Sequence, residues 1–260
     1  MATRTARSLR HEYAVFIEQE IENYKESIPR PAILAIGDEA AARLASEAQF
    51  VLTEMLMLEE VDRIIFRRLR LPTYNTWRRR RLKLHDEMRR PEHWGLTRSD
   101  AVVRAMSDAG ESTGNVLVAG EVTGRSALFF AANGCDVTSL EAEESDVQRV
   151  MDAAIHAGLA ARVHAVATEL ADFTPDAPLH AVVCSHAALF SLTPRERARV
   201  LAVLQSATSD GGVHLVETIA AGSAAIEELR TTYRDWLVSV EPDGDDAKAF
   251  LARKEQRVSH

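Results

Sequence analysis

Apolar and polar positions along the chain follow two different rhythms. Through the first hundred residues apolar side chains recur every three or four positions. Tyr13, Ile17, Ile21, Tyr24 and Ile28 line one face of a helix that Pro29 and Pro31 are expected to end. Asp38 is placed to cap a second, long helix with Leu44, Ala48, Val51, Met55, Leu58, Val61 and Ile65 on one stripe, stopped by Pro72. Thr73 is placed to cap a third, containing WRRRRLKLHDEMRR, and a short helix through Val102, Val103 and Met106 follows. From Asn115 the rhythm changes: NVLVAG, DVTSLEAE, RVHAVATEL, HAVVCSHAALF and VHLVETI read as strands, separated by the helical segments GRSALFFAANG, ESDVQRVMDAAIHAGL and TPRERARVLAVLQSATSDGG. A last helix, GSAAIEELRTTYRDW, precedes two strands joined across the turn residues P-D-G-D. Such alternation predicts an α/β fold: a doubly wound, mostly parallel seven-stranded sheet with an antiparallel terminal hairpin. An all-helical cap over 1–110 precedes this sheet domain over 111–260.

Composition narrows the classes. The chain of 260 residues is 46% hydrophobic and 27% charged, ordinary values for a folded soluble protein with one sizeable core and an appendage. No apolar run approaches the ~20 residues of a membrane span. The start MATRTARSLRHEY has no apolar signal core, so the expectation is a cytoplasmic protein without a membrane partner. Two cysteines, Cys135 and Cys184, cannot build a disulfide framework, and nine histidines without ligand spacing predict no metal.

Charge is uneven. Residues 1–100 hold 18 basic against 16 acidic residues, whereas 101–260 hold 13 against 23. The run Arg78 to Arg81 admits three readings: a solvated helix face docked on the acidic second half, a site for an anionic acceptor, or a phosphate-binding face. The acidic remainder argues against nucleic acid.

The stretch VLVAGEVTGRSALFFAANG carries the candidate chemistry. A strand runs into a turn with Gly120 and Gly124, and a small-residue helix follows, the order that lets backbone approach a nucleotide-type ligand and aims helix amides at it. Seventeen residues beyond Gly124, the second strand ends at Glu141, where a carboxylate can accept both hydroxyl hydrogens of a ribose; the third ends near Glu169, within reach of an adenine amino group.

In the order and spacing of these pieces, residues 112–255 resemble class I S-adenosylmethionine-dependent methyltransferases. The resemblance implies S-adenosylmethionine as cofactor, cradled by Gly120, Glu121, Val122, Gly124, Glu141 and Glu169, and methylation of an oxygen or nitrogen on a small-molecule acceptor. It departs from the family at Val118, where an acidic residue is usual, at Val122, where a central glycine is usual, and at His180, where aspartate is common. Glu121 is expected to compensate by meeting the cofactor's ammonium group. His186, just past the fourth strand, is the candidate base. Residues before the first strand often form a lid in this family, which would bring Tyr74, Trp77, His93 and Trp94 to the acceptor and offers the helical region as a homodimer surface. Two alternatives stay open: transfer or cyclisation of the cofactor's aminocarboxypropyl arm, and a catalytically silent scaffold.

Overall fold

The computed structural model describes residues 8–46, 54–108, 114–121, 123–220, 222–243 and 246–255. Its internal contacts divide the chain into two compact units, 1–84 and 85–260. The domain boundary expected at 110 lies outside the described residues.

The first unit holds α1 (Leu9–Ser27), α2 (Arg30–Ser46), α3 (Glu54–Arg68) and most of α4 (Tyr74–Met88). Ile21, Ile36, Ala40, Ile64 and Ile65 form its core, with Ile17, Tyr24 and Ile28 packed against them, so the stripe read from the sequence is the buried one. Three expectations are corrected. Asp38 does not cap a helix but lies inside α2. Pro31 does not end a helix but stands in the first turn of α2, where its missing N–H has no partner to lose. The long second helix is two helices: Glu39 pairs with Arg68, and Arg43 reaches Glu60 at 3.5 Å. In one unbroken helix Glu39 and Arg68 would stand about 43 Å apart along the axis. The stripe runs on through 47–53 without a glycine or proline to mark a reversal, which is why periodicity alone joined the two.

The second unit is built on a seven-stranded sheet of order β3-β2-β1-β4-β5-β7-β6. Its strands are β1 (Asn115–Ala119), β2 (Asp136–Glu141), β3 (Val163–Ala167), β4 (Leu179–Ser185), β5 (Thr208–Ala220), β6 (Leu237–Pro242) and β7 (Ala247–Arg253). All pairings are parallel except those of β7, which runs antiparallel to β5 and β6, as the terminal hairpin predicts. Alternate residues of each central strand face opposite sides. One face carries Val116, Val118, Val137, Ala181, Val183, Val213 and Leu215 against α5 (Ala101–Asp108), α6 (Arg125–Ala132) and α7 (Glu144–Ala157). The other carries Leu117, Ala119, Leu140, Val182, Cys184 and Val216 against α8 (His186–Phe190), α9 (Pro194–Ala207) and α10 (Ala225–Thr232). A reciprocal capping box between Thr193 and Glu196 starts α9. Arg197, buried on that helix, forks onto Glu228 of α10 at 2.7 and 3.2 Å. No helix among the described residues is long and apolar enough to cross a membrane.

Candidate functional site

The strand order reverses between β1 and β4, since chain order runs outward from β1 to β3 on one side and resumes at β4 on the other. The register sets a row of residues across the carboxyl ends at this point. Ala119 lies level with Leu140 on one side and Cys184 on the other, and Ser185 lies level with Glu217. One residue on come Glu141 and Gly120; by strand alternation Glu141, Ser185 and Glu217 share the face of the sheet that carries Val118 and Val183. At about 4.8 Å per strand, the two glutamates are about 14 Å apart at Cα.

Each member of the row has a local cause. Gly120 has φ +76°, and a Cβ there would fall onto Ser185 Oγ and 2.5 Å from Ala188 Cβ. The backbone thus passes close against β4 and α8 with no room for a side chain. Gly120→Ala is expected to lose about 2–4 kcal/mol from left-handed strain and overlap, read as a melting-temperature fall of roughly 5–15 °C. Ser185 caps α8, its Oγ accepting from Ala188 N at 3.1 Å. Gly124 caps α6 with φ +66° and no side chain to accept the first amides. Glu121 supplies that acceptor from outside the helix. Its carboxylate accepts from Ser126 N at 2.9 Å and from Thr123 Oγ1 at 3.1 Å, with Arg125 Nε at 3.4 Å. Val122 lies outside the described residues.

Glu141 is buried at the tip of β2, where Ser139 Oγ donates to it at 2.6 Å. Burial holds its carboxyl above the usual range; the Ser139 bond opposes that rise, and Asp146 and Glu121 add to it. The carboxylate is therefore poorly solvated and short of donors, the condition in which a ligand diol fits it. Glu169 is exposed two residues past β3, its carbonyl accepting from Asp172 N at 3.0 Å.

His186 opens α8, half-buried, its ring stacked on Phe190 at 4.6 Å. The four aromatic candidates divide between the units. Tyr74 and Trp77 belong to the first, in a cluster with Tyr13 and Phe16 at centroid distances of 5.5 to 6.5 Å. His93 and Trp94 belong to the second, in the 3-10 turn Pro91–Trp94. Trp94 packs on the core and donates its indole N–H to the Met88 carbonyl at 2.6 Å, while His93 is exposed. Among the described residues no three His, Cys, Asp or Glu side chains cluster to hold a metal. Ser139, Ser185 and Glu217 were not singled out from the sequence. The available signal was a polar residue closing each apolar strand, with a parity that only the register resolves.

Fold and row together define the class I S-adenosylmethionine-dependent methyltransferase architecture. Residues 91–241 match the model of the family described as tellurite resistance protein TehB. The chain belongs to this family of S-adenosylmethionine-dependent methyltransferases. No curated protein sequence matches the chain. Among solved structures, TehB from Haemophilus influenzae is 17% identical with a TM-score of 0.48, the match covering 59% of this chain and 62% of that one, less than two thirds of its length. The glycopeptide N-methyltransferase MtfA, complexed with S-adenosyl-L-homocysteine, is 16% identical over 61% of this chain and 89% of that one, with a TM-score of 0.50. An S-adenosylmethionine-dependent methyltransferase from Clostridium acetobutylicum is 5% identical over 60% and 89%, with a TM-score of 0.50. At such identities the likeness is one of fold.

Proposed function

We propose that the chain transfers a methyl group from S-adenosylmethionine to a nitrogen or oxygen of a small molecule. The observation that carries this reading is the row at the carboxyl end of the sheet: a buried carboxylate short of donors beside a left-handed glycine that admits no side chain. In this reading Glu141 accepts from the ribose hydroxyls and Glu169 from the adenine amino group. Gly120, Glu121 and Gly124 surround the amino-acid arm, with Glu121 meeting its ammonium through lone pairs that the helix cap leaves open. When bound, the cofactor supplies an electrophilic methyl group on a sulfonium. The protein's part is to hold the acceptor in line and keep water away. His186 offers the acceptor a hydrogen bond, and His93 with Trp94 is proposed as an aromatic wall.

The test is calorimetric titration with S-adenosylmethionine and S-adenosylhomocysteine. Micromolar binding is the expected result; absence of binding at millimolar concentration overturns the reading in favour of a silent scaffold. The co-product then decides the chemistry, S-adenosylhomocysteine for methyl transfer and methylthioadenosine for transfer of the aminocarboxypropyl arm. The family's description makes tellurite one acceptor to try beside amines and phenols.

A further inference from the structure

β5 does not end as a regular strand. Its register with β7 breaks between Val216 and Ile219, and Thr218 inside the break has φ +60°. A β-branched residue holds that conformation only under constraint. Here Thr218 N donates to Asp243 Oδ2 at 2.8 Å, and Thr218 Oγ1 donates to the Glu217 carbonyl at 2.7 Å. The bulge therefore fixes Glu217 at the end of the row, level with Ser185 and two strands from Gly120 on the side away from Glu141.

We propose that Glu217 is the catalytic residue that takes the acceptor's proton, an assignment that rests on the methyltransferase reading above. A ligand whose ribose is held at Glu141 and whose chain crosses Gly120 ends in front of Ser185 and Glu217. Among the described residues the Glu217 carboxylate has no hydrogen-bond or ion-pair partner.

The groups around Glu217 are Asp243 before β7, Glu121 and Arg125 at the turn into α6, and Asp100 before α5. Burial first, then Asp243 and Glu121, push its carboxyl up to about 7, with Asp100 adding and Arg125 opposing. A carboxyl titrating there is ionised often enough to accept a proton and basic enough to keep it. His186 is the rival for that role, its ring stacked on Phe190, over which the Arg197 guanidinium sits at 4.2 Å.

The step balances without a further reagent. The acceptor's lone pair bonds to the methyl carbon, the electrons of the carbon–sulfur bond stay with sulfur, and the N–H or O–H proton passes to the Glu217 carboxylate.

The experiment compares wild type, Glu217→Gln and His186→Asn in the full chain. Cofactor binding is read by calorimetry, and turnover on a panel of anilines, primary amines, phenols and tellurite by release of S-adenosylhomocysteine. Glu217→Gln is expected to bind both cofactor forms within about threefold of wild type, to lose about 10²–10⁴ in kcat on proton-bearing acceptors, and to lose the acidic limb of the kcat profile near pH 7. An independent readout is the Glu217 carboxyl carbon resonance, assigned by its absence in Glu217→Gln, which should titrate near pH 7. A variant that keeps kcat and its acidic limb, or a limb lost in His186→Asn and kept in Glu217→Gln, overturns the assignment. So does a chain that binds the cofactor but methylates only tellurite, whose tellurium lone pair brings no proton to remove. A wild type that binds neither cofactor form overturns the underlying reading first, and the assignment with it.

Discussion

Glu141→Gln will weaken binding of S-adenosylmethionine and S-adenosylhomocysteine by about 100-fold or more while leaving the melting temperature at or above that of wild type. The two halves of this expectation share one cause. In the free protein the Glu141 carboxylate is disfavoured by burial and by the charges of Asp146 and Glu121, and among the described residues the Ser139 hydroxyl, at 2.6 Å, is its one hydrogen-bond donor. A ribose diol adds two donors to a charged acceptor in a poorly solvated place, and hydrogen bonds to charged groups contribute about 1.5–3 kcal/mol each. Glutamine keeps the shape but offers one acceptor oxygen and no charge, so binding loses most of that energy. Folding loses little, because the substitution removes a repulsive buried charge and the amide oxygen still accepts from Ser139. Calorimetry and a thermal melt on the same preparation separate the two effects. Equal affinity in the variant would mean that the ribose is not held at β2.

Much of the sheet was legible because its signals are local. Glycine after an apolar run, an acidic residue at the next strand end and a P-D-G-D turn each act within a few residues, and every strand read from the sequence has a counterpart, but two bounds are corrected: His186–Phe190, read as strand, is α8, and 208–212, read as helix, begin β5. The helical unit was less legible because an apolar stripe marks a helix face but not its length. The pairings of Glu39 with Arg68 and of Arg43 with Glu60 show that the chain turns back. Of the candidate site, Gly120 and Gly124 were legible as turn glycines and Glu141 as a strand-end carboxylate. Glu217 was hidden because its position depends on three long-range facts: the β4–β5 register, the break against β7 and the reach of Asp243 from the hairpin turn. The VETI segment says only that a glutamate sits near a strand end. Glu121 shows the converse limit. Its type was read as a ligand for a cation, yet its carboxylate already caps α6, which the glycine at the cap position cannot do.

Stability will collapse below pH about 4.5 after a nearly flat stretch up to about 6.5, and Glu217→Gln will turn that flat stretch into a slope. The acid limb belongs to His214, which lies buried on β5. Thr208 Oγ1 donates to the Leu204 carbonyl at 2.7 Å, so at 2.7 Å from His214 Nε2 it must accept, leaving Nδ1 to accept from Tyr233 OH at 2.7 Å. A second proton on the ring would turn the Tyr233 hydroxyl from donor to acceptor and leave its hydrogen without a partner, and burial, then the nearby Lys254 charge, lower the imidazole to about 3 from 6.5. Between those values the unfolded chain binds more protons than the folded one, so stability rises with pH, by about 5 kcal/mol over the whole window at ~1.4 kcal/mol per unit. Glu217 acts with the opposite sign. Its carboxyl is raised from 4.5 to about 7, the folded chain binds more protons across that range, and its contribution falls as pH rises, by about 3 kcal/mol on the same scale. From about 4.5 to 6.5 the slopes of these two groups nearly cancel; below that range the Glu217 contribution is flat and the His214 loss remains. Urea titrations at half-unit pH intervals read this directly. His214→Phe should lower stability at neutral pH by leaving the Tyr233 hydroxyl without its acceptor and Thr208 Oγ1 without its donor, and should also abolish most of the collapse below pH about 4.5. If the collapse persists in that variant, carboxylates such as Glu39 and Glu196, both held low by their partners, carry the acid limb instead.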